Sequence, residues 1–102
     1  MTDIHKEFVQ AMQQFRMCIL KDIQNKERLV EPYGIFISAH KKVMYCCYQL
    51  SGFSKSDEIP NWRNISVEDV KEVSISSRSF RKRKDFNPDN KKVYYQWVEQ
   101  LT

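Results

Sequence analysis

The chain has 102 residues, of which 41% are apolar and 29% are charged, a composition typical of one globular domain. It has no apolar run near the roughly 20 residues that a membrane helix requires. Its first residues, MTDIHKEF, lack the apolar segment of a secretory signal peptide. We therefore expect a single domain over residues 1–102, located in the cytoplasm and without attachment to a membrane.

The predicted elements begin with a helix over residues 3 to about 14, whose apolar residues recur on one face. A strand over about 15–23 follows, in preference to a longer helix, and the polar cluster QNKE then indicates a hairpin turn. The segments RLVEPYGIFIS and VMYCCYQL are typical of two further strands, joined by a turn at AHKK. Pro32 and Gly34 favour an edge position, a bend or a bulge in the first of these two strands.

The second half of the chain predicts two more strands and a closing helix. After the polar loop SGFSKSDEIPN, strands are expected over 62–67 and 70–76, with a tight turn between them. Asp89 or Asn90 caps a short last helix. About five short strands in close succession predict a mainly β, α+β fold with an N-terminal and a C-terminal helix, arranged as a small antiparallel barrel or a strongly bent sheet. The core-facing residues of the last helix are Val93, Trp97, Val98 and Leu101.

The positive charge of the chain is concentrated in one segment, the basic tract of residues 78–84. The net charge is +4, yet this tract, RSFRKRK, carries five basic side chains and no acidic one. The other 12 basic and 13 acidic residues sum to −1. The tract is either a solvated loop or a surface that attracts a phosphate backbone. As a nucleic-acid patch it comprises Arg78, Arg81, Lys82, Arg83 and Lys84.

The cysteines favour neither disulfides nor a metal site. There are three, an odd number, and Cys46 and Cys47 are adjacent, so in a strand their side chains point to opposite faces. Neither His5 nor His40 completes a spacing typical of metal ligands. We expect buried thiols in a reducing compartment, with no metal and no cofactor.

Signatures of catalysis are missing. With only Gly34 and Gly52 the chain has no phosphate-binding glycine loop, and it lacks G-x-S-x-G and H-E-x-x-H. The acidic pairs at 57–58 and 68–69 fall in predicted turns, where carboxylates are usually solvated. We expect a protein that is not an enzyme.

Recognition of a ligand is the remaining chemistry, because polar and aromatic side chains collect near predicted strand ends. Arginine binds phosphate through two hydrogen bonds, and aromatic rings stack on bases. Structural alternatives remain open: Tyr33 packs a bend, Trp62 belongs to the core, and Arg63 pairs with an acid such as Glu31 or Glu68. The candidate ligand-binding residues are Arg28, Tyr33, Tyr48, Gln49, Ser51 and Arg63, with Ser54 nearby.

The segments RLVEPYG, VMYCCYQLSGFS and WRNISVEDVKEVSI together resemble the WYL domain of bacteria over roughly residues 11–86. In that pattern an arginine precedes an extended segment with proline, here Arg28 and Pro32. A Trp-Tyr-Leu tripeptide follows, of which this chain retains only Tyr45. A last motif begins with an arginine, here Arg63. Its second and third arginines are replaced in this chain by Ser66 and Asp69.

The resemblance implies an Sm-like small β-barrel that acts as a ligand-sensing module in bacterial transcription regulation. Such domains are thought to bind nucleic acid or nucleotides. We therefore expect a non-enzymatic regulatory module that binds single-stranded nucleic acid or a nucleotide through arginines and aromatics at strand ends. The alternative is a subunit that binds protein, as a homo-oligomer or on a larger regulatory partner, without binding nucleic acid.

Overall fold

The computed structural model describes residues 3–53, 59–90 and 92–101, and these form one α-helix, one short 3₁₀ helix and six strands. The 3₁₀ helix, Val67–Asp69, lies between the fourth and fifth strands. The helix and strands are α1 (Asp3–Gln13), β1 (Arg16–Asp22), β2 (Glu27–Ile37), β3 (Val43–Gly52), β4 (Asn61–Ser66), β5 (Val70–Ser79) and β6 (Gln96–Gln100).

The six strands form an open, antiparallel sheet with the order β4-β3-β2-β1-β5, and β6 adds to β2. Strand β2 changes its partner along its length. Residues 27–30 pair with β1, whereas residues 34–37 pair with β6. Its other edge pairs with β3 throughout. The long second strand is therefore the centre of the sheet, in agreement with its continuous burial from Val30 to Phe36.

Gly34 permits the change of partner within β2. The register with β3 shifts between Pro32 and Gly34, which confirms the predicted irregularity at these residues. A Cβ atom at Gly34 would lie 2.5 Å from the Glu99 carbonyl oxygen and 2.6 Å from the Trp97 ring. Strand β6 can therefore approach β2 only because residue 34 has no side chain.

The prediction of a C-terminal helix is wrong. The amides of Val93 and Tyr94 donate to the Asn90 carbonyl in a single turn, and the chain then enters β6. Two physical reasons favour the strand. The segment VYYQWV is rich in β-branched and aromatic residues, and the second half of β2 offers an edge that β1 leaves uncovered.

The sheet is covered on both faces, so the molecule has two apolar clusters. Helix α1 packs Phe8 and Ala11 against one face, where Cys47 lies. The segment after β5 packs Phe80 and Phe86 against the other face, where Cys46 lies. The two adjacent cysteines thus point to opposite faces, as predicted, and all three thiols are free and buried.

The sequence predicted most strand positions within a few residues, including the turn between β4 and β5. The sheet has six strands rather than about five, and it is open, so the closed barrel stays a prediction. In the described parts of the chain, no helix is long and apolar enough to cross a membrane.

Candidate ligand-binding surfaces

Arg83 fastens the basic tract to the sheet. Its Nε donates to Oε1 of Glu31 at 2.8 Å, and its Nη2 donates to Oε2 at 3.1 Å. Glu31 lies in β2 with 3% of its surface exposed. The Arg83 guanidinium also lies 3.7 Å from the centre of the Tyr48 ring. These hydrogen bonds to Glu31 raise the pKa of Arg83, so its charge is committed to an internal ion pair.

Aromatic rings beneath the tract support the same attachment. The Tyr33 hydroxyl accepts a 2.7 Å hydrogen bond from the Arg83 amide, and Trp62 donates from Nε1 to Asp85 at 2.9 Å. The Tyr33 ring lies 4.8 Å from the rings of both Trp62 and Phe86. The tract is therefore held at its C-terminal end by side chains of β2 and β4.

The remaining cations of the tract point outward. Arg78, at the end of β5, and Arg81, Lys82 and Lys84, in the following loop, are all exposed. Arg16 joins them, because it pairs in register with Ser79 and donates to the Ser77 carbonyl at 3.1 Å. Arg16 has no sequence signal that links it to the tract, because it lies 62 positions or more before it and is brought to it only by the pairing of β1 with β5.

A cavity of about 270 Å³ lies at the opposite end of β1 and β5. The β1–β2 turn, the end of β3 and the β4–β5 turn enclose it. Its apolar lining residues are Leu20, Ile23, Phe53, Ile65 and Val70, and its polar lining residues are Asp22, Gln24, Lys26, Arg28 and Asp69.

Buried hydrogen bonds hold Arg28 in place at this cavity. Its Nη1 donates to Oε1 of Gln49 at 3.1 Å. Gln49 is fully buried, and its Nε2 donates to the carbonyls of Ser51 and Phe53 at 3.2 and 2.7 Å. Gln49 thus positions both a cation and the aromatic residue Phe53, although it cannot itself reach solvent.

Two cations converge on the Phe53 ring. The Lys26 ammonium lies 4.0 Å from the ring centre, and the Arg28 guanidinium lies 5.4 Å from it. Asp22 organises the adjacent turn, since its Oδ1 accepts from the amides of Gln24 and Lys26 at 2.8 and 2.9 Å. These hydrogen bonds, the one from Lys26 first, lower the pKa of the Asp22 carboxyl.

The predicted ligand residues do not form one site. Arg28 lines the cavity, and Gln49 behind it contacts both Arg28 and the Ser51 carbonyl. Tyr33 and Tyr48 instead contact Arg83 of the basic tract. Tyr33 is fully buried, and burial raises the pKa of its hydroxyl to about 12. Tyr33 therefore packs inside the protein and supports the tract, and it does not present its ring to solvent.

Arg63 lies on β4, opposite Cys47 of β3. Its Nη1 donates to the Trp62 carbonyl at 3.0 Å, and it has a further interaction, so it is not an isolated surface charge. The carboxylate of Glu31, one partner expected for it, binds Arg83 instead. Ser54 and the acidic pair at 57–58 lie outside the described residues.

Tyr45, which the resemblance aligns with the tyrosine of the tripeptide, is a core residue. It is fully buried, and its ring stacks on Phe8 with centres 4.2 Å apart. Among the residues that the structure describes, no group of three or more His, Cys, Asp or Glu side chains is arranged to hold a metal ion.

Comparisons of the chain with family models, curated proteins and solved structures return no match. The resemblance to the WYL domain accordingly remains a prediction.

Proposed function

We propose that this chain is a non-enzymatic module that binds single-stranded nucleic acid on the basic tract. The observation that carries the proposal is that the basic side chains of the tract have two different roles. One arginine is committed to the sheet, and Arg78, Arg81, Lys82 and Lys84 remain exposed. A cluster of exposed cations without an interspersed acid attracts a phosphate backbone and releases counterions on binding.

The attachment of the tract favours binding because it reduces the ordering that binding requires. A flexible loop would lose conformational entropy when it bound a strand. The ion pair, the hydrogen bond from Trp62 to Asp85 and the buried ring of Phe86 fix this loop beforehand. The four exposed cations are therefore presented on a support that is already ordered.

Phe15 supplies a ring beside these cations. It has 37% of its surface exposed, and its carbonyl accepts from the Phe80 amide at 2.8 Å. The neighbouring residue, Arg16, pairs in register with Ser79 of the tract. Unpaired bases stack on such rings, whereas bases within a duplex are already stacked on each other. This arrangement favours a single strand over a duplex.

The proposal extends to an Sm-like barrel of the WYL type. The strand order β4-β3-β2-β1-β5 supports it, because a 3₁₀ helix of three residues links the two outermost strands of that order. Ile65 of β4 and Val70 of β5 line the same cavity, so the two ends of the sheet approach each other there. A bacterial regulatory role would follow from the family.

Binding to labelled single-stranded DNA and RNA, followed by fluorescence anisotropy, tests the proposal. The tract variant replaces Arg81, Lys82 and Lys84 by Gln. The control replaces the exposed Lys6, Lys42 and Lys71 by Gln, so both proteins lose three positive charges. We expect the tract variant to bind much more weakly than the parent protein and the control to retain most of its affinity. Equal loss in both, or no binding by the parent protein at low salt, would overturn the proposal.

The Arg63→Ala variant distinguishes binding on the tract from binding at Arg63 of β4, the residue expected from the sequence. Binding that survives this substitution places the strand on the tract. Binding that disappears only in Arg63→Ala would place it at Arg63. Circular dichroism of each variant shows whether the fold is retained.

The exposed residues and single partner strand of β6 support the alternative function, a protein-interaction subunit. In the described part of the chain β6 pairs with β2 alone; Tyr95, just before β6, and Val98, within it, are 52% and 49% exposed. An apolar interface is insensitive to salt, unlike phosphate binding. Sedimentation at low and high salt tests this function, and Val98→Asp should dissociate any oligomer that β6 forms.

A further inference from the structure

The cavity beside Phe53 and the basic tract lie at opposite ends of the same two strands. At one end Arg16 pairs with Ser79, and at the other Asp22 pairs with Val70. The seven residues of β1 span about 20 Å at roughly 3.3 Å per residue. A ligand in the cavity is therefore either separate from one on the tract or the end of a strand several nucleotides long.

We propose that this cavity binds one nucleotide, with the base against Phe53 and the phosphate on Lys26 and Arg28. The proposal rests on the proposed function for the class of ligand, but on a separate set of residues. The same chemistry is offered by a free mononucleotide and by the terminal nucleotide of a strand. The experiment below distinguishes these two sources.

The size of the cavity limits its occupant. Pockets for drug-sized ligands measure roughly 300–1,000 Å³, and this one measures about 270 Å³. It therefore accommodates one heterocycle with its substituents rather than a dinucleotide. Leu20 and Val70 are 2% and 7% exposed and provide an apolar floor for such a ring.

The cations are placed for a phosphate attached to that ring. Arg28 is fixed by the buried Gln49, so its guanidinium is oriented before a ligand arrives. Lys26 is exposed, and its ammonium now covers the Phe53 face. A base that stacks on this face displaces the ammonium toward the rim, where the long side chain can still reach the phosphate.

The two acids that line the cavity, Asp22 and Asp69, predict which base is preferred. Asp22 already accepts two amide hydrogens of its own turn, whereas Asp69 is an exposed carboxylate in the 3₁₀ helix. Guanine presents two adjacent N–H donors on one edge, and these match the two oxygens of a carboxylate. Uracil presents a carbonyl flanking its single donor. A carboxylate at this position therefore favours guanosine monophosphate over uridine monophosphate.

Titration of the ¹⁵N-labelled protein with the four nucleoside monophosphates tests the inference. We expect guanosine monophosphate to shift the amides around Phe53 and Lys26. Phe53→Leu should weaken binding about tenfold through the loss of stacking. Asp69→Asn should abolish the preference for guanine over uracil, and Lys26→Gln should weaken all four nucleotides equally. Lys42→Gln, an exposed lysine on the other hairpin, should change nothing.

The source of the nucleotide follows from a comparison of ligands. Tighter binding of a 5′-phosphorylated oligonucleotide than of the free nucleotide, lost in Phe53→Leu, indicates the end of a strand. Equal affinity indicates the free nucleotide. Identical shifts with inorganic phosphate alone, or no shift near Phe53, would overturn the inference. Strand binding that persists in Phe53→Leu but not in the tract variant would leave the proposed function intact.

Discussion

Arg83 and Glu31 form a two-hydrogen-bond ion pair between the basic tract and the central strand β2, at 2.8 and 3.1 Å. A buried carboxylate without a partner is costly, because it loses its hydration. Glu31 is 3% exposed, so it needs a cation from outside its own strand. The pair satisfies that need and also fixes the loop that presents the other cations of the tract.

The first prediction is that Arg83→Ala lowers the free energy of unfolding by about 2 kcal/mol. Removal of one partner of a buried pair typically costs about 3–5 kcal/mol, and solvent screens part of that here because the Arg83 side chain is 35% exposed. Arg81→Ala, on an exposed neighbour, should change the same quantity by less than about 0.5 kcal/mol. Urea denaturation measures both. Equal stability of the two variants would mean that the pair does not hold the tract.

A second prediction compares two buried tyrosine hydroxyls. In the described residues the Tyr45 hydroxyl has no hydrogen-bond partner, whereas the Tyr33 hydroxyl accepts from the Arg83 amide. Tyr45→Phe should therefore leave the free energy of unfolding unchanged or raise it by about 1 kcal/mol, and Tyr33→Phe should lower it by about 1 kcal/mol. Thermal or urea denaturation of the pair checks the sign. A loss in Tyr45→Phe as large as that in Tyr33→Phe would contradict the prediction.

A third prediction concerns alkaline pH. Burial raises the pKa of the Cys18 thiol to about 12 and that of Cys46 to about 11, from 9.0. Because the folded-state pKa is the higher one, each thiol's contribution to stability is complete below pH 9 and is lost as the pH rises toward 11 or 12. Each should reduce the free energy of unfolding by about 1 kcal/mol between pH 9 and pH 10.

Urea denaturation at pH 8, 9 and 10 with a phosphine reductant measures this slope. The Cys46→Ala variant should be less stable at pH 8 but should lose less stability above pH 9. A slope that is the same in the parent and the variant would show that the Cys46 thiol does not contribute.

A fourth prediction concerns the docking of β6. Gly34→Ala places a methyl group against the Glu99 carbonyl and the Trp97 ring, so the strand must move away. We expect a loss of about 2 kcal/mol in the free energy of unfolding and faster hydrogen exchange of the β6 amides. Ser74→Ala, at an exposed position of β5, is the control and should change neither quantity.

The strands could be predicted because their signals are local. Alternating or continuous β-forming residues bounded by polar turns located β1 to β5, and Gly34 marked the irregularity in β2. The segment that becomes β6 was assigned to a helix because Val93, Trp97, Val98 and Leu101 recur at a helical spacing. Its true state depends on the free edge of β2, which lies about 60 residues earlier and has no local signal.

The site was harder to predict because its key contacts are distant in sequence. A signal for the Arg83–Glu31 pair existed, since Glu31 lies in the middle of a strand rich in apolar residues and must have a partner if that part of the strand is buried. Which arginine supplies the partner depends on tertiary packing. Arg28 lies near the start of β2, as expected, and its ligand-binding role stays a prediction. The roles of Gln49 and Tyr33 as buried supports, and of Lys26 and Phe53 at the cavity, appear only in the folded chain.

The most direct measurement is the salt dependence of binding to a labelled single strand. If four cations of the tract contact phosphates, the slope of log K against log salt should be about −3, at roughly 0.7 per contact for a single strand. The variant with Gln at 81, 82 and 84 should reduce it to about −1, while the variant with Gln at 6, 42 and 71 should retain the parent slope. A slope unchanged by the tract substitutions would contradict the account, as would the absence of binding at low salt.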